Sequence, residues 1–383
     1  MGLRICFVTS HPPSRGRLSE YAVKVLKELE RSSRIERIFA LSDSPPDAAD
    51  PPYGARVEVM NVWRPDNIFS ILRIILNVLK LRPHLVHFNA HFQSFGKRKL
   101  ANFTGLSLPF LCRVFGVPSV ISIHNLGGKV NLEAVGLKES FLTRLGITLA
   151  TKLVTLSSAV TVTVRSYVEY LRRTYRCRNV TFVPHGADTP IDPPVGPTSP
   201  NPCRVILMLG HMGPYKGLPV MIEVFSRLLN KNEGLKLIVA GQSHPNFPGY
   251  LEEFRKNAPM NVEFVGYIVE ERIQELFQRA FVVALPYLTS TGTSGVFHLA
   301  CGFGKPIVAS DLPEIRELVK EGASAMLVPP NDAEAFSDAL LHLCDEPWLA
   351  EEMGKQNLSF ASSESWSQVA SSLERIYGEL VPC

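Results

Sequence analysis

The sequence lacks both the long apolar run of a membrane-spanning protein and the paired cysteines of a secreted one. The apolar stretch Ile68–Leu81 has only 14 residues and contains Arg73 and Lys80, so it is too short and too charged to cross a bilayer. Seven cysteines are scattered without a Cys-x-x-Cys pair, which argues against a disulfide framework or a structural zinc site. The N-terminal apolar run Ile5–Val8 is too short for a secretory signal. These absences predict a cytoplasmic protein.

Several catalytic signatures are missing as well. There is no Gly-x-Ser-x-Gly elbow and no Gly-Lys-Ser/Thr phosphate loop, which weakens the hydrolase and ATPase interpretations. No Asp-x-Asp pair is present to hold a divalent ion beside a phosphate, so we expect a metal-independent protein. No known nucleic-acid module is present, and the residues near the basic clusters are aliphatic more than aromatic, so we expect no nucleic-acid partner.

The composition is that of a globular protein with an uneven charge. Hydrophobic residues make up 45% and charged residues 20% of the 383 residues, which excludes intrinsic disorder and predicts two domains. Residues 1–186 contain 26 Lys and Arg against 12 Asp and Glu, a charge of +14, whereas residues 187–383 contain 14 against 24, a charge of −10. The basic half is expected to attract an anionic surface or substrate, unless its charge serves only solubility.

Two apolar stretches lie within the basic half. The bulky apolar residues of Ile68–Leu81 cover most of one helix face, which fits either a core helix or a helix at a membrane interface, and we favour the core. The stretch Asn102–Val117 combines aromatic and aliphatic residues with flanking basic residues and poses the same choice. There we favour a surface for lipid.

A proline-rich segment divides the chain. Residues 187–203 contain six prolines, which exclude a helix or an inner strand and predict a linker between an N-terminal domain, 1–186, and a C-terminal domain, 204–363. In both domains short β-rich runs alternate with helical patterns, which predicts an α/β fold with parallel sheets and helices on both faces. Ligands of such doubly wound sheets bind beyond the carboxyl ends of the strands, so a cleft between two facing domains is the expected active site.

The sharpest local signal is the run Leu288–Val296, which follows one predicted strand and precedes a helix. Its glycines allow close backbone approach, its hydroxyls donate hydrogen bonds, and the helix start favours an anion. The alternative is that Thr293 or Ser294 is an ordinary N-cap. The candidate phosphate-binding residues are Thr291, Gly292, Thr293, Ser294 and Gly295.

A second anion-suited loop follows the first strand of the C-terminal half. Here the strand breaks at Gly210 and leads through Lys216 into a helix. Lysines at helix starts are commonly solvated, but two such loops on one sheet edge match a nucleoside diphosphate.

Three features of the N-terminal half also lie at predicted strand ends. His124 lies at the carboxyl end of the predicted strand Val120–Asn125, where it is either a cleft residue or a buried structural histidine. His87 and His91 end another strand and are either acceptor-site groups or structural. After the first strand a loop suited to an anion is formed by Arg15, Gly16 and Arg17.

Taken in order, these motifs resemble the retaining GT-B glycosyltransferases of the group-1 (family 4) class, over essentially the whole chain. The motifs are Val183–Asp188 (VPHGAD), Leu209–Phe225, Lys236–Gly241, Val262–Ile268, Thr293–Val319 and Gly322–Asp332. The final segment, 364–383, is similar to the helix that crosses back onto the N-terminal domain in this family. The resemblance implies two Rossmann-like domains facing a cleft.

The resemblance also implies roles for individual residues. Lys216 would contact the donor diphosphate, the loop Gly292–Gly295 would wrap the phosphates and the sugar, and His124 would lie near the donor sugar as the catalytic residue. Tyr267 and Ile268 stand where the family places the nucleotide base. Thr289 and Phe297 occupy the positions at which many relatives carry two glutamates.

The expected activity is transfer of a sugar from a nucleotide-sugar, a co-substrate and not a cofactor, to a lipid-linked or otherwise anionic acceptor, with retention at the anomeric carbon and without a metal. The expected place is the cytoplasm, with peripheral binding to an anionic membrane surface at the inner face. Two alternatives stay open. The missing glutamates fit a non-catalytic GT-B scaffold, and the same fold fits a nucleotide-sugar epimerase or a phosphorylase.

Overall fold

The computed structural model describes residues 2–14, 16–43, 53–188, 205–231, 234–290 and 292–382, and for Arg17, Glu270 and Glu271 it describes the backbone alone. Within these ranges the chain forms two compact units. Unit 1 consists of residues 1–129, 139–185 and 366–383, and unit 2 of residues 130–138 and 186–365. Most of the proline-rich segment expected to link two domains lies outside the described residues.

Unit 1 is a seven-stranded parallel sheet with flanking helices, in the strand order β3-β2-β1-β4-β5-β6-β7. Its elements are β1 (Leu3–Thr9), α1 (Arg17–Arg31), β2 (Ile35–Ser42), β3 (Val57–Asn61), α2 (Ile68–Leu81), β4 (Leu85–Ala90), α3 (Lys99–Val114), β5 (Ser119–Ile123), α4 (Phe141–Thr155), β6 (Ala159–Val162), α5 (Arg165–Tyr175) and β7 (Val180–Phe182), joined by α13 (Trp366–Leu380) from the end of the chain.

Unit 2 is a six-stranded parallel sheet in the order β10-β9-β8-β11-β12-β13. Its elements are β8 (Val205–Leu209), a short 3-10 helix (Pro214–Lys216), α6 (Leu218–Leu229), β9 (Lys236–Ala240), α7 (Tyr250–Arg255), β10 (Val262–Gly266), α8 (Glu270–Arg279), β11 (Val282–Leu285), α9 (Gly295–Gly302), β12 (Ile307–Ser310), α10 (Pro313–Lys320), β13 (Met326–Val328), α11 (Ala333–Asp345) and α12 (Pro347–Ser363).

Each sheet is buried on both faces, as expected for parallel strands covered by helices. Successive residues of a strand point to opposite faces. On β1, Cys6 and Val8 therefore pack into one hydrophobic core while Ile5 and Phe7 pack into another. The same alternation on β8 places Met208 in one core of unit 2 and Leu207 in the other. The prediction of two doubly wound, Rossmann-like α/β domains is confirmed.

Two expectations about the apolar stretches need correction. The apolar residues of α2 do not share one face, because Ile74 and Val78 are buried whereas Leu72 and Leu79 are exposed. The expectation of a lipid surface over residues 102–117 is wrong for most of that stretch, since it lies largely in α3, whose inner side enters the core of unit 1. Of the aromatic and leucine residues that prompted it, only Phe115 is exposed.

Two segments belong to a unit that lies far away in sequence. Residues 130–138 group with unit 2, where Asn246 donates a hydrogen bond from Nδ2 to the Val135 carbonyl at 3.0 Å. Helix α13 packs against α1 and inserts Val369, Leu373 and Tyr377 into a core of unit 1. Unit 1 is therefore completed only by residues near the end of the sequence. Among the described residues, no helix has both the length and the apolar character that a bilayer crossing requires.

Candidate functional site

The candidate donor-binding residues of unit 2 follow the carboxyl ends of strands β8, β10 and β11. Strand order runs outward from β8 through β9 to β10 on one side and from β11 through β12 to β13 on the other. The order therefore reverses between β8 and β11, which are hydrogen-bonded neighbours. In open α/β sheets this switch point is where a crevice forms for ligands. The loops after β8 and β11, which carry Lys216 and the run Gly292–Gly295, flank it.

Lys216 ends the 3-10 helix in the first of these loops and is only 2% exposed. Its ammonium nitrogen Nζ lies 3.6 Å from the centre of the Tyr287 ring, a cation–π contact with a residue of the second loop. The backbone joins the two loops as well, because Leu288 N–H donates to the Tyr215 carbonyl at 2.9 Å. A buried cation is thereby held at the switch point by residues of both loops.

Close backbone packing fixes the end of the first loop. Gly217 has φ +70°, and a Cβ at this position would lie 1.8 Å from the Pro286 carbonyl oxygen. Only glycine allows both this left-handed conformation and this approach. Gly241, after β9, meets a similar limit, since a Cβ at that position would lie 1.9 Å from the Gly210 carbonyl oxygen. The glycines bring the loops after β8, β9 and β11 together at one edge of the sheet.

The second loop leads into α9, whose first residue is Gly295. Ser294 is the N-cap, and its Oγ accepts a hydrogen bond from Phe297 N–H at 3.3 Å, as the alternative interpretation of this serine predicted. Its Oγ also lies 3.4 Å from the Tyr287 hydroxyl. The remaining N–H groups of the first turn have no acceptor within the helix, so the cap still leaves donors for an anion. Gly292 is buried and Thr293 half-buried, while Thr291 lies outside the described residues.

A buried histidine and carboxylate hold this helix start from behind. His298 Nδ1 lies 2.9 Å from the Ser294 carbonyl, and its Nε2 lies 3.1 Å from Glu364 Oε2. The Ser294 carbonyl can only accept a hydrogen bond, so Nδ1–H is the donor in that contact. Burial, with a smaller contribution from the charge of Glu364, raises the pKa of the Cys301 thiol well above its usual value. In the sequence analysis His298 and Glu364 stood within longer motifs, and neither was given a role.

The other predicted residues of unit 2 occupy the neighbouring strand ends. Tyr267 and Ile268 follow β10, where Tyr267 is exposed and Ile268 packs partly into a core. Beside Gly210, His211 Nε2 lies 3.2 Å from Gln242 Nε2. Sequence reasoning missed Gln242 and Tyr287, because neither stands in a motif that singles out its side chain.

In unit 1 the strand order reverses between β1 and β4, and the predicted residues follow these strands and β5. His124 Nε2–H donates to Asn89 Oδ1 at 2.6 Å, and Asn89 Nδ2 donates to Thr9 Oγ1 at 2.9 Å. Burial, with a smaller contribution from the charge of His91, lowers the pKa of His124 to about 3. His124 is therefore neutral near pH 7, with its proton on Nε2 and its Nδ1 able to accept a hydrogen bond.

The remaining unit 1 predictions are placed as follows. His91 follows β4, and its Nδ1 accepts a hydrogen bond from Gln93 N–H at 3.0 Å. Gly16 is the N-cap of α1 and Arg17 its first residue. Arg15 and the side chain of Arg17 lie outside the described residues. The predicted role of the two arginines in binding an anion therefore stays a prediction.

His87 lies in the interior, as the structural alternative for this residue predicted. Its Nδ1 bonds the Tyr377 hydroxyl and its Nε2 bonds Ser122 Oγ at 2.8 Å. Burial, with the charge of His124, lowers the pKa of His87 to about 3. An unanticipated aromatic group surrounds His124, formed by Tyr21 at 4.5 Å between ring centres and by His185 at 6.2 Å.

Comparison with known proteins agrees with this geometry. The group 1 glycosyl transferases match residues 203–346. Over 178 residues the chain is 28% identical to a phosphatidyl-myo-inositol mannosyltransferase of Mycobacterium leprae, covering 45% of this chain and 46% of that protein. The chain thus spans about half the length of the curated relatives that it matches.

Solved structures extend the likeness to the whole chain at the level of fold. Sucrose-phosphate synthase of Thermosynechococcus elongatus superposes with a TM-score of 0.77 at 18% identity over 99% of both chains. Anabaena HepE in complex with UDP and glucose superposes with a TM-score of 0.72 at 16% identity, over 98% of this chain and 99% of HepE. Residues 203–346 therefore belong to the group 1 glycosyl transferases, within a chain that has the GT-B fold.

Proposed function

We propose that this chain is a retaining glycosyltransferase that moves a sugar from a nucleotide-sugar to a lipid-linked or otherwise anionic acceptor. The observation that carries the proposal is the pairing of buried Lys216 with the start of α9 at the switch point of the second sheet. A lysine and a helix N-terminus favour a diphosphate. Anabaena HepE, of the same fold, binds UDP-glucose, and the mycobacterial relative is a mannosyltransferase of phosphatidyl-myo-inositol.

The chemistry follows from charge development. In the proposed reaction the bond between the anomeric carbon and the donor phosphate breaks, and the acceptor oxygen forms a bond to the same face of that carbon. The acceptor proton passes to an oxygen of the departing diphosphate. Negative charge therefore grows on the leaving group, where Lys216 and the N–H groups ahead of Val296 stabilise it more in the transition state than in the ground state. The proposed reaction needs neither a metal nor a bound cofactor.

The other candidate residues take the roles that the family resemblance implies. Tyr267 and Ile268 are proposed to contact the base, and Gly210 to allow close approach of the donor. His124, neutral near pH 7, is proposed to accept a hydrogen bond at Nδ1 from a hydroxyl of the transferred sugar. The acceptor or its phosphate is assigned to Arg15, Gly16, Arg17 and His91. We also propose that the reaction takes place at the cytosolic face of a membrane, because a lipid-linked acceptor would lie there and the first half of the sequence carries a charge of +14.

The direct test is to incubate the purified chain with UDP-, GDP- and ADP-sugars, with and without vesicles containing phosphatidylinositol. Nucleotide release that depends on acceptor, with an α-linked product from an α-linked donor by NMR and with activity unchanged by EDTA, supports the proposal. No release from any donor in the presence of acceptor contradicts the proposal and favours a non-catalytic scaffold. Thr289 and Phe297, at the positions where many relatives carry glutamates, are consistent with such a scaffold. Conversion of the free nucleotide-sugar to its epimer contradicts it in favour of an epimerase.

The donor site is tested by Lys216→Met, which keeps the buried aliphatic chain and removes the charge. We expect the KM for the donor to rise at least about tenfold, equivalent to about 1.4 kcal/mol, with a small change in Tm. The matched control is Lys305→Met, because Lys305 is also a buried lysine of unit 2 but precedes β12, at the opposite edge of the sheet. A lowered stability with an unchanged KM in Lys216→Met would make that lysine structural.

A further inference from the structure

The exposed apolar side chains of this protein are concentrated on three helices of unit 1. Of seventeen large hydrophobic residues exposed in the described ranges, twelve lie on α2, α3 and α4 or within a residue of their ends. These twelve, which we call the exposed apolar face, are Phe69, Leu72, Leu76, Leu79, Leu100, Val114, Phe115, Phe141, Leu142, Leu145, Leu149 and Leu156. Single exposed apolar residues are ordinary, but a cluster of this size indicates an interaction surface.

The helices that carry these residues form one layer. Helix α3 packs against α2 on one side and against α4 on the other, and the inner residues of all three enter the same core. On α2, Phe69, Leu72, Leu76 and Leu79 follow helical spacing and form a stripe opposite the buried one. Phe69 at the start of this stripe is 84% exposed. The outer side of this layer is therefore built for an apolar contact.

The charges on the same helices have a single sign. Within α2, α3 and α4 there are six basic residues and no Asp or Glu. They are Arg73, Lys80, Lys99, Arg113, Arg144 and Lys152. Arg144 forms an ion pair with Glu139, which lies just before α4. Two copies of a face with this charge would repel one another, whereas an anionic surface would attract each copy.

A cavity opens at the α2 end of the face. It has a volume of about 400 Å³ and is lined in part by Trp63, Arg64, Asn67, Phe69 and Arg73. Two guanidinium groups and the amide of Asn67 suit the phosphate of a lipid headgroup. The exposed Phe69 ring stands beside them, so polar and apolar parts of one lipid would meet matching groups.

We propose that the exposed apolar face docks on the surface of an anionic phospholipid bilayer. The leucine and phenylalanine side chains enter the interface between headgroups and acyl chains, and the basic side chains reach the surrounding phosphates. The docking proposal deepens the proposed function and rests on it, because a lipid-linked acceptor would lie in a bilayer. Binding to a bilayer is nevertheless measured independently of sugar transfer.

The experiment is cosedimentation of the full chain with phosphatidylcholine vesicles that either contain or lack phosphatidylglycerol. One variant replaces Phe69, Leu76, Phe141 and Leu142 with serine. The matched control replaces Met260 and Trp348, which are exposed apolar residues of unit 2 outside the face. We expect binding to the anionic vesicles that weakens with salt, a loss of at least about tenfold in the face variant, and wild-type binding in the control. Each variant is first checked for an unchanged Tm.

A second variant, Arg73→Glu with Lys80→Glu and Lys152→Glu, tests the charge separately and is expected to reduce both the affinity and its dependence on salt. The proposal is overturned if the face variant binds as well as wild type, if neutral and anionic vesicles bind equally, or if light scattering shows a dimer of the wild type that the face variant loses. Nucleotide release with the acceptor lipid dispersed in detergent, where no bilayer is needed, separates the two proposals. Vesicle binding without any turnover contradicts only the proposed function, and turnover without vesicle binding contradicts only the docking face.

Discussion

A single buried carboxylate connects the candidate phosphate loop to a distant part of unit 2. Glu364 bonds His298 Nε2, whose Nδ1–H in turn donates to the carbonyl of Ser294, the N-cap of α9. The side chain of His298 is only 2% exposed and that of Glu364 only 9%, so water does not readily replace a lost partner. Glu364 thus acts on the loop through His298, as a positioning residue.

This arrangement predicts a small loss of stability for one substitution of Glu364 and a large loss for another. In Glu364→Gln the amide can donate to Nε2 of a neutral imidazole, so we expect a loss of less than about 1 kcal/mol in the free energy of unfolding. In Glu364→Ala the imidazole loses its buried partner, and we expect a loss of about 3 kcal/mol together with a higher KM for the donor. Urea unfolding and nucleotide release measure the two effects. Equal losses in Gln and Ala would show that the negative charge, and not the hydrogen bond, is what the site needs.

At the scale of elements, the turn between the 3-10 helix and α6 depends on one glycine. Gly217 and Gly249 both precede helices and have similar dihedral angles, φ +70° and φ +81°. They differ in their surroundings, since a Cβ on Gly217 would clash with the Pro286 carbonyl whereas a Cβ on Gly249 would meet nothing within 4 Å. The pair therefore separates the effect of backbone conformation from the effect of close packing.

We expect Gly249→Ala to lower the free energy of unfolding by about 1 kcal/mol, the cost of a left-handed alanine. Gly217→Ala should cost at least about twice as much, because the loop that holds Lys216 must also move away from Pro286. It should further weaken donor binding, which Gly249→Ala should leave unchanged. Urea unfolding and the KM for the donor are the measurements. Equal changes of stability and of KM in the two variants would contradict the argument that the close contact between Gly217 and the Pro286 carbonyl positions the loop.

Local patterns in the sequence predicted many elements closely and missed others for a definable reason. Helix α2 has the bounds of the predicted helical stretch Ile68–Leu81, and the predicted alternation of short strands and helices holds in both sheets. No element was predicted where α4, α11 and α12 lie. Helix α4 is apolar on both its inner and its outer side, as Ala150 and Leu149 show, so it lacks the alternation that marks a half-buried helix.

The candidate site was predictable in its loops but not in its contacts. Spacing after a strand identified Lys216 and the run before α9, because turn chemistry and helix starts are local features. The Tyr287 ring under Lys216 and the bond between His298 and Glu364 join residues 71 and 66 positions apart. Such pairs depend on strand order, which composition and periodicity do not specify. The burial of Lys216 could not be predicted for the same reason, because it depends on Tyr287, and lysines at helix starts are commonly solvated.

On the scale of the whole molecule, the end of the chain stabilises its beginning. Helix α13 brings Tyr377 to His87, and the pair is buried beside Phe7 of the first strand. Both His87 and His124 are neutral in the folded protein, with pKa values lowered to about 3. An unfolded chain returns these groups to about 6.5. Unit 1 therefore contains two histidines that bind protons only when it unfolds.

The sign of the resulting pH dependence follows directly. Between about pH 6.5 and pH 3 the unfolded state binds more protons than the folded state, so the free energy of unfolding falls as the pH is lowered. Each histidine contributes up to about 1.4 kcal/mol per pH unit in this window, and the effect vanishes above it. Acidification from pH 7 to pH 5 is thus expected to destabilise unit 1 markedly.

Tryptophan fluorescence can isolate this effect. Trp63 and Trp366 belong to unit 1, whereas Trp348 is an exposed residue of unit 2, so the background Trp348→Phe leaves a signal from unit 1 alone. In urea titrations at pH 7, 6 and 5 we expect the stability of unit 1 to fall steadily. Adding His87→Gln should lower stability at pH 7, through the lost bond to Tyr377, and yet make the decline shallower because one proton-binding group is gone. An unchanged slope in that variant, or equal stability of the parent at pH 7 and pH 5, would mean that these histidines are not held neutral by the fold.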